Sequence, residues 1–471
     1  MKALRALGMD GAVAYAFLAR MTSIVGSTGT VLLIARFLSP VEQGYYYTLL
    51  SLVSLQLVFE LGFSFVVQQL AAHESIHLDL RPDGSVGGDA VAHARLASAL
   101  QLSLLWYTVA ALAMGIVVAP LGMLFFARHI AAGGTQVAWQ GPWMAAVAAS
   151  MAGLWCLPFY SFIEGYGQVR AVAAMRFQQA IAAAVLAWTA MLLHHGLYSP
   201  AMVIVGQIGT GLFFLSGRRS LLLGLLRHPV REHSIRWSRE VWPFQWRIAV
   251  SWMCSYFTVQ IFIPIVFALR GAVEAGKMGM SLSITGYMTV LALVWTSTKA
   301  TPFGNMIARG EFHGLDRLFF RTLLQSMAAF ATIAISVMAA VALLPLVAPG
   351  LAARMVSAGL FAALVLGAAA NHLAQSLAIL LRCFKKEPFL AQSLTVAALT
   401  LLLAAISIPK LGNAGAVLSY LVANGVAGLP IAALIFARAR RKYLPHVPSS
   451  IASQLAASAT EPAIAGQGEL L

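Results

Sequence analysis

Two arginines, each followed by hydroxyl side chains at helical spacing, are the residues of this sequence best suited to bind an anion. The two runs are Arg20, Ser23, Ser27 and Thr30, and Arg247, Ser251, Ser255 and Thr258. Residues three to four positions apart lie on one side of a helix, so each run predicts a polar stripe that begins with a guanidinium. Guanidinium groups bind phosphate through charge-assisted and often bidentate hydrogen bonds.

A different role for these residues is anchoring and helix packing. Arginines near the ends of apolar helices extend their charge to the lipid headgroups, and serines and threonines often bond only to a helix. Arg247 begins its apolar segment and fits either role. Arg20 lies some nine residues into its segment, which is about 14 Å along a helix axis. We therefore expect Arg20 to face a polar cavity.

Glu60, in the segment VFELGFS, is the acid that lies most clearly inside an apolar segment. It could form an ion pair between helices, or hold a proton or cation that drives a conformational cycle. Arg176, beside Gln178 and Gln179, is either a third cavity cation or an end anchor. The predicted binding residues are Arg20, Ser23, Ser27, Arg247, Ser251 and Arg176, with Glu60 as an ion-coupling or ion-pair residue.

Membrane-spanning helices must position these side chains. The 471 residues are 60% hydrophobic and 10% charged, whereas soluble domains are about 25% charged. Apolar runs of spanning length recur along the chain, without the alternating strands of a barrel. We predict an all-α polytopic membrane protein with twelve transmembrane helices. The predicted spans are 11–38, 42–70, 95–120, 141–164, 168–193, 199–217, 243–269, 276–298, 318–345, 355–381, 388–408 and 413–437.

The basic residues predict the orientation of these spans. With the N-terminus in the cytoplasm, 24 of the 31 lysines and arginines fall on the cytoplasmic side, 6 on the opposite side and Arg20 within a span. This bias follows the positive-inside rule and places both termini in the cytoplasm. It also accounts for most of the net charge of +15, so the charge does not call for a nucleic-acid partner.

The chain divides into two similar halves. VEQG (41–44) follows the first span and VEAG (273–276) follows the seventh. Six spans in each half predict a parallel pseudo-repeat around a central cavity. The predicted organisation is an N-terminal bundle (1–223), a basic cytoplasmic linker (224–242), a C-terminal bundle (243–443) and a disordered cytoplasmic tail (444–471). Trp237, Trp242 and Trp246 suggest that the linker region lies on the cytoplasmic leaflet.

The motifs of several other classes of protein are missing from the sequence. It contains neither a G-x-x-x-x-G-K-[ST] phosphate loop nor an H-E-x-x-H zinc motif. Its three cysteines have no paired spacing, which predicts neither a metal site nor a disulfide framework. We therefore expect no enzyme activity, no metal and no cofactor, although a compact membrane-embedded polysaccharide polymerase stays open as an alternative.

The segment ARFLSPVEQGYYYTLLSLVSLQLVFELGFSFVVQQLAAHE (35–74) resembles the first hairpin of bacterial polysaccharide flippases of the O-antigen type. These flippases belong to the superfamily that also contains the multidrug and toxin extruders. The likeness is specific over about the first hundred residues, and the rest of the chain matches only in its pattern of spans. The resemblance implies two six-helix bundles around a cavity that opens alternately to each side of the bacterial inner membrane.

The resemblance also implies a substrate, an undecaprenyl-pyrophosphate-linked oligosaccharide that moves to the periplasmic leaflet. Drug-extruding relatives typically hold cations with acids in the first span, and this chain has Arg20 there. Expected partners are the lipid-linked oligosaccharide, membrane lipids, a proton or sodium ion, and other polysaccharide assembly proteins. The alternative is a cation-coupled drug or metabolite antiporter of the same fold.

Overall fold

The computed structural model describes residues 11–75, 78–80, 86–131, 137–229, 235–384 and 389–443. The predicted tail (444–471) lies outside this range. The described chain is almost entirely helical, apart from one small hairpin that the sequence did not predict. Strands β1 (Leu78–Leu80) and β2 (Val86–Gly88) pair antiparallel, with Leu78 opposite Gly88 and Leu80 opposite Val86.

Six spans form the N-terminal lobe, and the second of them is broken into three helices. In chain order they are α1 (Gly11–Phe37), α2 to α4 (Pro40–Val53, Gln56–Glu60 and Phe63–Glu74), α5 (Ala90–Ala131), α6 (Gln140–Gly165), α7 (Val169–Leu192) and α8 (Ser199–Ser216). A short amphipathic helix follows, α9 (Arg219–Arg227).

The C-terminal lobe begins after a π-helical turn at Trp237–Val241. Its helices are α10 (Trp242–Val259), α11 (Phe262–Arg270), α12 (Ala272–Ser297), α13 (Ala300–Arg309), α14 (Phe312–Val347), α15 (Pro349–Ala352), α16 (Ala358–Arg382), α17 (Leu390–Leu411), α18 (Asn413–Leu421) and α19 (Leu429–Tyr443). Spans 7 and 12 are each made of two helices, α10 with α11 and α18 with α19; the π-helix Val422–Gly428 joins the latter pair.

The two lobes have the same helix packing, which confirms the predicted parallel repeat. In the N-terminal lobe span 1 packs on span 5, span 5 on span 6, span 6 on span 4, and span 4 on spans 2 and 3. In the C-terminal lobe span 7 packs on span 11, span 11 on span 12, span 12 on span 10, and span 10 on spans 8 and 9. The predicted number of spans also agrees with the fold. Among the described residues ten helices have the length and hydropathy to cross a membrane, the bent span 2 is an eleventh, and Val25–Phe37 of α1 is a shorter apolar helix.

The sequence SPVEQG explains where span 2 begins. The Ser39 hydroxyl accepts the Glu42 N–H at 3.2 Å, and the Glu42 carboxylate accepts the Ser39 N–H at 2.7 Å. This reciprocal pair is a capping box, and Pro40 occupies the first turn, where its missing N–H costs nothing. The acid of the VEQG tetrapeptide is therefore a helix cap.

Spans 2 and 7 are both interrupted near mid-length. Span 2 bends by 42° between Pro40–Glu60 and Phe63–Glu74. The left-handed residues Leu61 (φ 54°) and Gly62 (φ 64°) form this break. Span 7 is interrupted at Gln260, two residues before α11, and the Ser51 hydroxyl of α2 donates to the Gln260 carbonyl at 2.6 Å. A side chain of one lobe thus satisfies a backbone group that the break in the other lobe leaves free.

Candidate functional site: the seam between the lobes and the buried acid

The predicted polar stripe of α1 is only partly available for a cavity. The side chains of Arg20 and Ser23 lie outside the described part of the structure, and Ser27 is half-buried. The Thr30 hydroxyl donates to the Gly26 carbonyl at 2.8 Å and accepts the Trp188 indole N–H at 3.0 Å. Thr30 therefore joins α1 to α7, which is a packing role that its spacing from Arg20 did not predict.

The corresponding stripe of α10 has one described member of the predicted set. Ser251 is buried, with 5% of its surface exposed. The side chains of Arg247 and Ser255 lie outside the described part, and the Thr258 hydroxyl donates to the Cys254 carbonyl of its own helix at 2.8 Å. The first helix of each lobe, α1 and α10, contains no aspartate or glutamate.

Arg176 is already paired. Its guanidinium lies 2.6 Å from the Glu164 carboxylate, across the turn between α6 and α7, and its side chain is 54% exposed. A charge that is both paired and exposed is better suited to anchoring the end of α7 than to binding a substrate.

Glu60 lies at the break of span 2 and is 94% buried, with 6% of its surface exposed. Its carboxylate accepts the Ser64 hydroxyl at 2.5 Å, so it connects the end of α3 to the first turn of α4. The buried Tyr107 hydroxyl lies beside this carboxylate without a hydrogen bond of good geometry. The positive end of the α4 dipole helps to stabilise a negative charge at this position.

The predicted ion pair of Glu60 is not found among the side chains that the structure describes, because none of their cationic groups lies within ion-pair distance. A buried carboxylate is costly unless it is paired, protonated or bound to a cation. Its unpaired neighbour Tyr107 adds an oxygen that could contact such an ion. Glu60, Ser64 and Tyr107 are here called the acid site.

An aromatic cluster lies next to the acid site. Phe63, the residue after the break, packs against Trp106 and Trp237 with ring centroids 5.9 and 4.8 Å apart. Trp237 belongs to the predicted linker, yet it stacks on Trp106 in the N-terminal lobe at 5.1 Å instead of facing lipid. Trp242 and Trp246 are 47% and 40% exposed, respectively. The linker thus holds the start of span 7 against spans 2 and 3.

Two ion pairs strengthen this attachment. The Arg95 guanidinium contacts the Glu74 carboxylate at 2.9 Å and the Glu240 carboxylate at 2.7 Å. The Arg236 backbone N–H donates to Glu240 at 3.0 Å. This backbone N–H and the Arg95 guanidinium lower the pKa of the Glu240 carboxyl below its ordinary value.

The two repeat tetrapeptides contact each other where α2 and α12 begin. A Cβ added to Gly44 would lie 1.9 Å from the Ala272 carbonyl oxygen, and one added to Gly276 would lie 3.0 Å from the Gly44 nitrogen. VEQG and VEAG thus form a close backbone contact in the seam between the lobes. The small residues allow the backbones to approach this closely, as in other membrane helix pairs. We call this end of the molecule the closed end.

Gln43 extends the seam to a third element. It is 1% exposed, and its amide donates to the Gly276 carbonyl at 2.9 Å and to the Arg354 carbonyl at 3.0 Å. Its own carbonyl accepts from the Arg354 guanidinium at 3.3 Å. Burial lowers the pKa of Arg354, which lies in the connection between spans 9 and 10. Neither Gln43 nor Arg354 was predicted from the sequence as a functional residue, although Gln43 is the variable position of the VEQG/VEAG match.

His372, a residue of span 10, lies inside the C-terminal lobe. Its exposure is 0%, and its Nε2 is 3.0 Å from the Ser326 hydroxyl. That hydroxyl donates to the Ala292 carbonyl at 2.7 Å, so the ring N–H at Nε2 donates to Ser326. Ala292 follows Glu60 by 232 residues, which is the offset between VEQG and VEAG. The buried histidine of the C-terminal lobe is therefore linked, through Ser326, to the position that corresponds to Glu60.

The described residues include no cluster of three or more histidines, cysteines or acids that could hold a metal ion. The candidate functional features that they contain are the acid site, the glycine contact between VEQG and VEAG, and the buried His372. These groups can bind a proton or monovalent cation and can bring two lobes together at one end.

This arrangement of spans is the fold of the MATE transporters and of a lipid flippase. The solved structures that the chain resembles include an inward-facing multidrug resistance MATE family transporter of the MOP superfamily, with a TM-score of 0.55 and 14% identity over 88% of this chain and 98% of that chain. The lipid II flippase MurJ in an inward closed conformation matches with a TM-score of 0.55 and 12% identity, over 92% of this chain and 90% of that chain. A eukaryotic MATE transporter matches with a TM-score of 0.58 and 13% identity, over 92% of this chain and 100% of that chain. No protein-family profile and no curated protein matches the sequence.

Proposed function

We propose that the protein is a flippase of the bacterial inner membrane that moves undecaprenyl-pyrophosphate-linked oligosaccharide units by alternating access, for the synthesis of O-antigen, capsule or exopolysaccharide. One observation carries the proposal. The first helix of each lobe has an arginine followed by serines and threonines, and neither helix contains an acid. A pyrophosphate group is multiply anionic, and arginine is the side chain best suited to bind it.

The fold is compatible with this substrate class. The structures that share it include a lipid II flippase, which is named for a lipid-linked cargo. A cavity between two lobes suits such a cargo, because the polar headgroup can be enclosed while the lipid chain stays in the bilayer. In this proposal Arg20 and Arg247 bind the pyrophosphate, with Ser23, Ser27 and Ser251 as further hydrogen-bonding groups, and the pairing of Arg176 with Glu164 makes Arg176 a secondary contact.

The orientation of the protein in the membrane is taken, in this proposal, from the charge bias. With 24 of 31 basic residues on the side of both termini, the positive-inside rule puts that side in the cytoplasm. The closed end, where VEQG meets VEAG, then faces the periplasm. Loading of a lipid-linked precursor would then require the lobes to separate at the opposite, cytoplasmic end.

In this proposal the acid site binds the ion that is coupled to transport. Glu60 is buried, has no described cationic partner, and lies at the break of span 2. Broken helices place free carbonyls and helix ends at ion sites in other transporters. A proton or sodium ion bound by Glu60, with Ser64 and Tyr107 beside it, would neutralise the charge where span 2 bends.

The acid site also favours the second candidate, a cation-coupled drug or metabolite antiporter. In that case Glu60 would contact the cationic drug or the exchanged ion. The two candidates differ in the arginines, which an exporter of cations would not need in its cavity. Replacement of Arg20 therefore distinguishes them.

The experiment uses a strain that lacks this gene and any redundant flippase. We expect surface polysaccharide to be lost, and its lipid-linked repeat unit to accumulate on the cytoplasmic leaflet. The wild-type gene should restore export, whereas Arg20→Ala and Arg247→Ala should restore at most about a tenth of it, since each removes a charge-assisted bond worth about 1.5–3 kcal/mol. Arg36→Ala, on the same helix as Arg20 and exposed, is the matched control and should restore export fully.

Equal rescue by Arg20→Ala and Arg36→Ala would contradict the role of Arg20 but leave the flippase. Normal surface polysaccharide without an accumulated intermediate would exclude the flippase and favour the antiporter. Glu60→Gln tests coupling separately: it should retain substrate binding in reconstituted vesicles, while transport no longer responds to an imposed proton or sodium gradient.

A further inference from the structure

A cavity of about 310 Å³ lies at the closed end, outside the acid site and the arginine stripes. Its walls are Leu121, Leu124, Phe125, Arg128, His129 and Ala268. The first five belong to α5 in the N-terminal lobe, and Ala268 belongs to α11 in the C-terminal lobe. Any molecule in this cavity therefore contacts both lobes.

The register of α5 gives the cavity an amphipathic wall. Leu121, Leu124 and Arg128 follow one another at intervals of three and four residues, so they form a single stripe about 10 Å long. Leu121 and Leu124 are 48% and 51% exposed, which is the exposure expected of side chains that face acyl chains. The stripe ends with Arg128 and His129 in the last turn of the helix.

Arg128 has no hydrogen-bond or ion-pair partner among the described residues, and the six cavity residues include no acid. Arg270, an arginine at the same end, differs in this respect. Its guanidinium donates to the carbonyls of Ile408 and Pro409 at 3.3 and 2.9 Å. His129 is fixed beside Arg128 by its contact with Phe267, at a centroid distance of 4.5 Å. The cavity thus offers one uncommitted cation and one oriented imidazole above an apolar wall.

We propose that this cavity binds an anionic phospholipid, with its phosphate on Arg128 and His129 and an acyl chain along Leu121 and Leu124. The cavity joins the two chemistries of such a lipid in the correct order along the membrane normal. This inference does not depend on which cargo the protein carries. Because the walls come from both lobes, a bound lipid stabilises the closed end, as does any ligand that prefers one conformation.

The test titrates the purified full-length protein with dioleoylphosphatidylglycerol, and in parallel with dioleoylphosphatidylcholine, and counts bound lipids by native mass spectrometry. We expect a site that prefers phosphatidylglycerol. Arg128→Gln should weaken that site about fivefold, because a basic residue near a lipid surface contributes about 1 kcal/mol. The matched control is Arg36→Gln. It removes an exposed arginine of α1 at the same end of the molecule as Arg128, and it should leave the site unchanged.

Equal phosphatidylglycerol binding by the wild type and Arg128→Gln would overturn the proposal, and so would an equal loss in Arg36→Gln. A parallel titration with inorganic phosphate separates a lipid site from a simple anion site. If phosphate alone raised the thermal stability of the wild type as much as the lipid does, the acyl-chain half of the proposal would be wrong. A circular dichroism spectrum of each variant confirms that it is folded.

Discussion

Replacing Gly44 with alanine is expected to open the closed end. The new Cβ would lie 1.9 Å from the Ala272 carbonyl oxygen and 2.8 Å from its Cα, so backbone and not a flexible side chain must move. Overpacking of this kind costs about 1–3 kcal/mol. The cost falls only on the conformation in which the lobes touch here. A penalty of about 2 kcal/mol would lower the ratio of closed to open molecules about 30-fold.

The ratio of closed to open molecules can be measured by double electron–electron resonance. The spin labels replace Arg36 and Lys410, which are exposed at the closed end and belong to different lobes. Gly44→Ala should shift the distance distribution to longer values. Gly286→Ala is the matched control, because it lies on the partner helix α12 and a Cβ there meets nothing within 4 Å. If Gly44→Ala kept the wild-type distribution while folded, the glycine contact would not determine closure.

Two further predictions concern the buried histidine and the linker attachment. Ser326→Ala should lower the free energy of unfolding by about 1–3 kcal/mol, measured by thermal or denaturant unfolding, because His372 then keeps a buried N–H without an acceptor. The Arg236 N–H and the Arg95 guanidinium lower the pKa of Glu240 in the folded protein. The stabilisation of the folded protein by ionised Glu240 is therefore complete above the pKa of the unfolded state, and it is lost as the pH falls through the lower pKa of the folded state. Unfolding temperatures between pH 7 and pH 3 should therefore fall less in Glu240→Gln than in the wild type.

The sequence predicted the large-scale fold because the apolar length of each span is set by the thickness of the membrane itself. Twelve spans in two halves and the VEQG/VEAG repeat were visible in this way. The break at Leu61 was not, because a leucine at positive φ has no sequence signature and Gly62 alone could have been a tolerated helical glycine.

Side-chain partners were harder to predict than spans, because they depend on which helices are neighbours. Thr30 shares a stripe with Arg20, yet it bonds Trp188 because span 5 packs on span 1. Arg176 was predicted as a binding residue, and the structure pairs it with Glu164 across a turn. Such contacts need the helix order, which hydropathy does not contain.

The break in span 2 has no equivalent in span 8, which runs uninterrupted from Ala272 to Ser297. The two halves therefore differ at corresponding positions: α2 packs along the continuous helix α12, and the interruptions of the C-terminal lobe lie in spans 7 and 12 instead. If the two repeats were equally stiff, both would share any deformation. The break in span 2 contains the buried acid Glu60, so a single carboxyl group lies where only one of these two paired helices is interrupted.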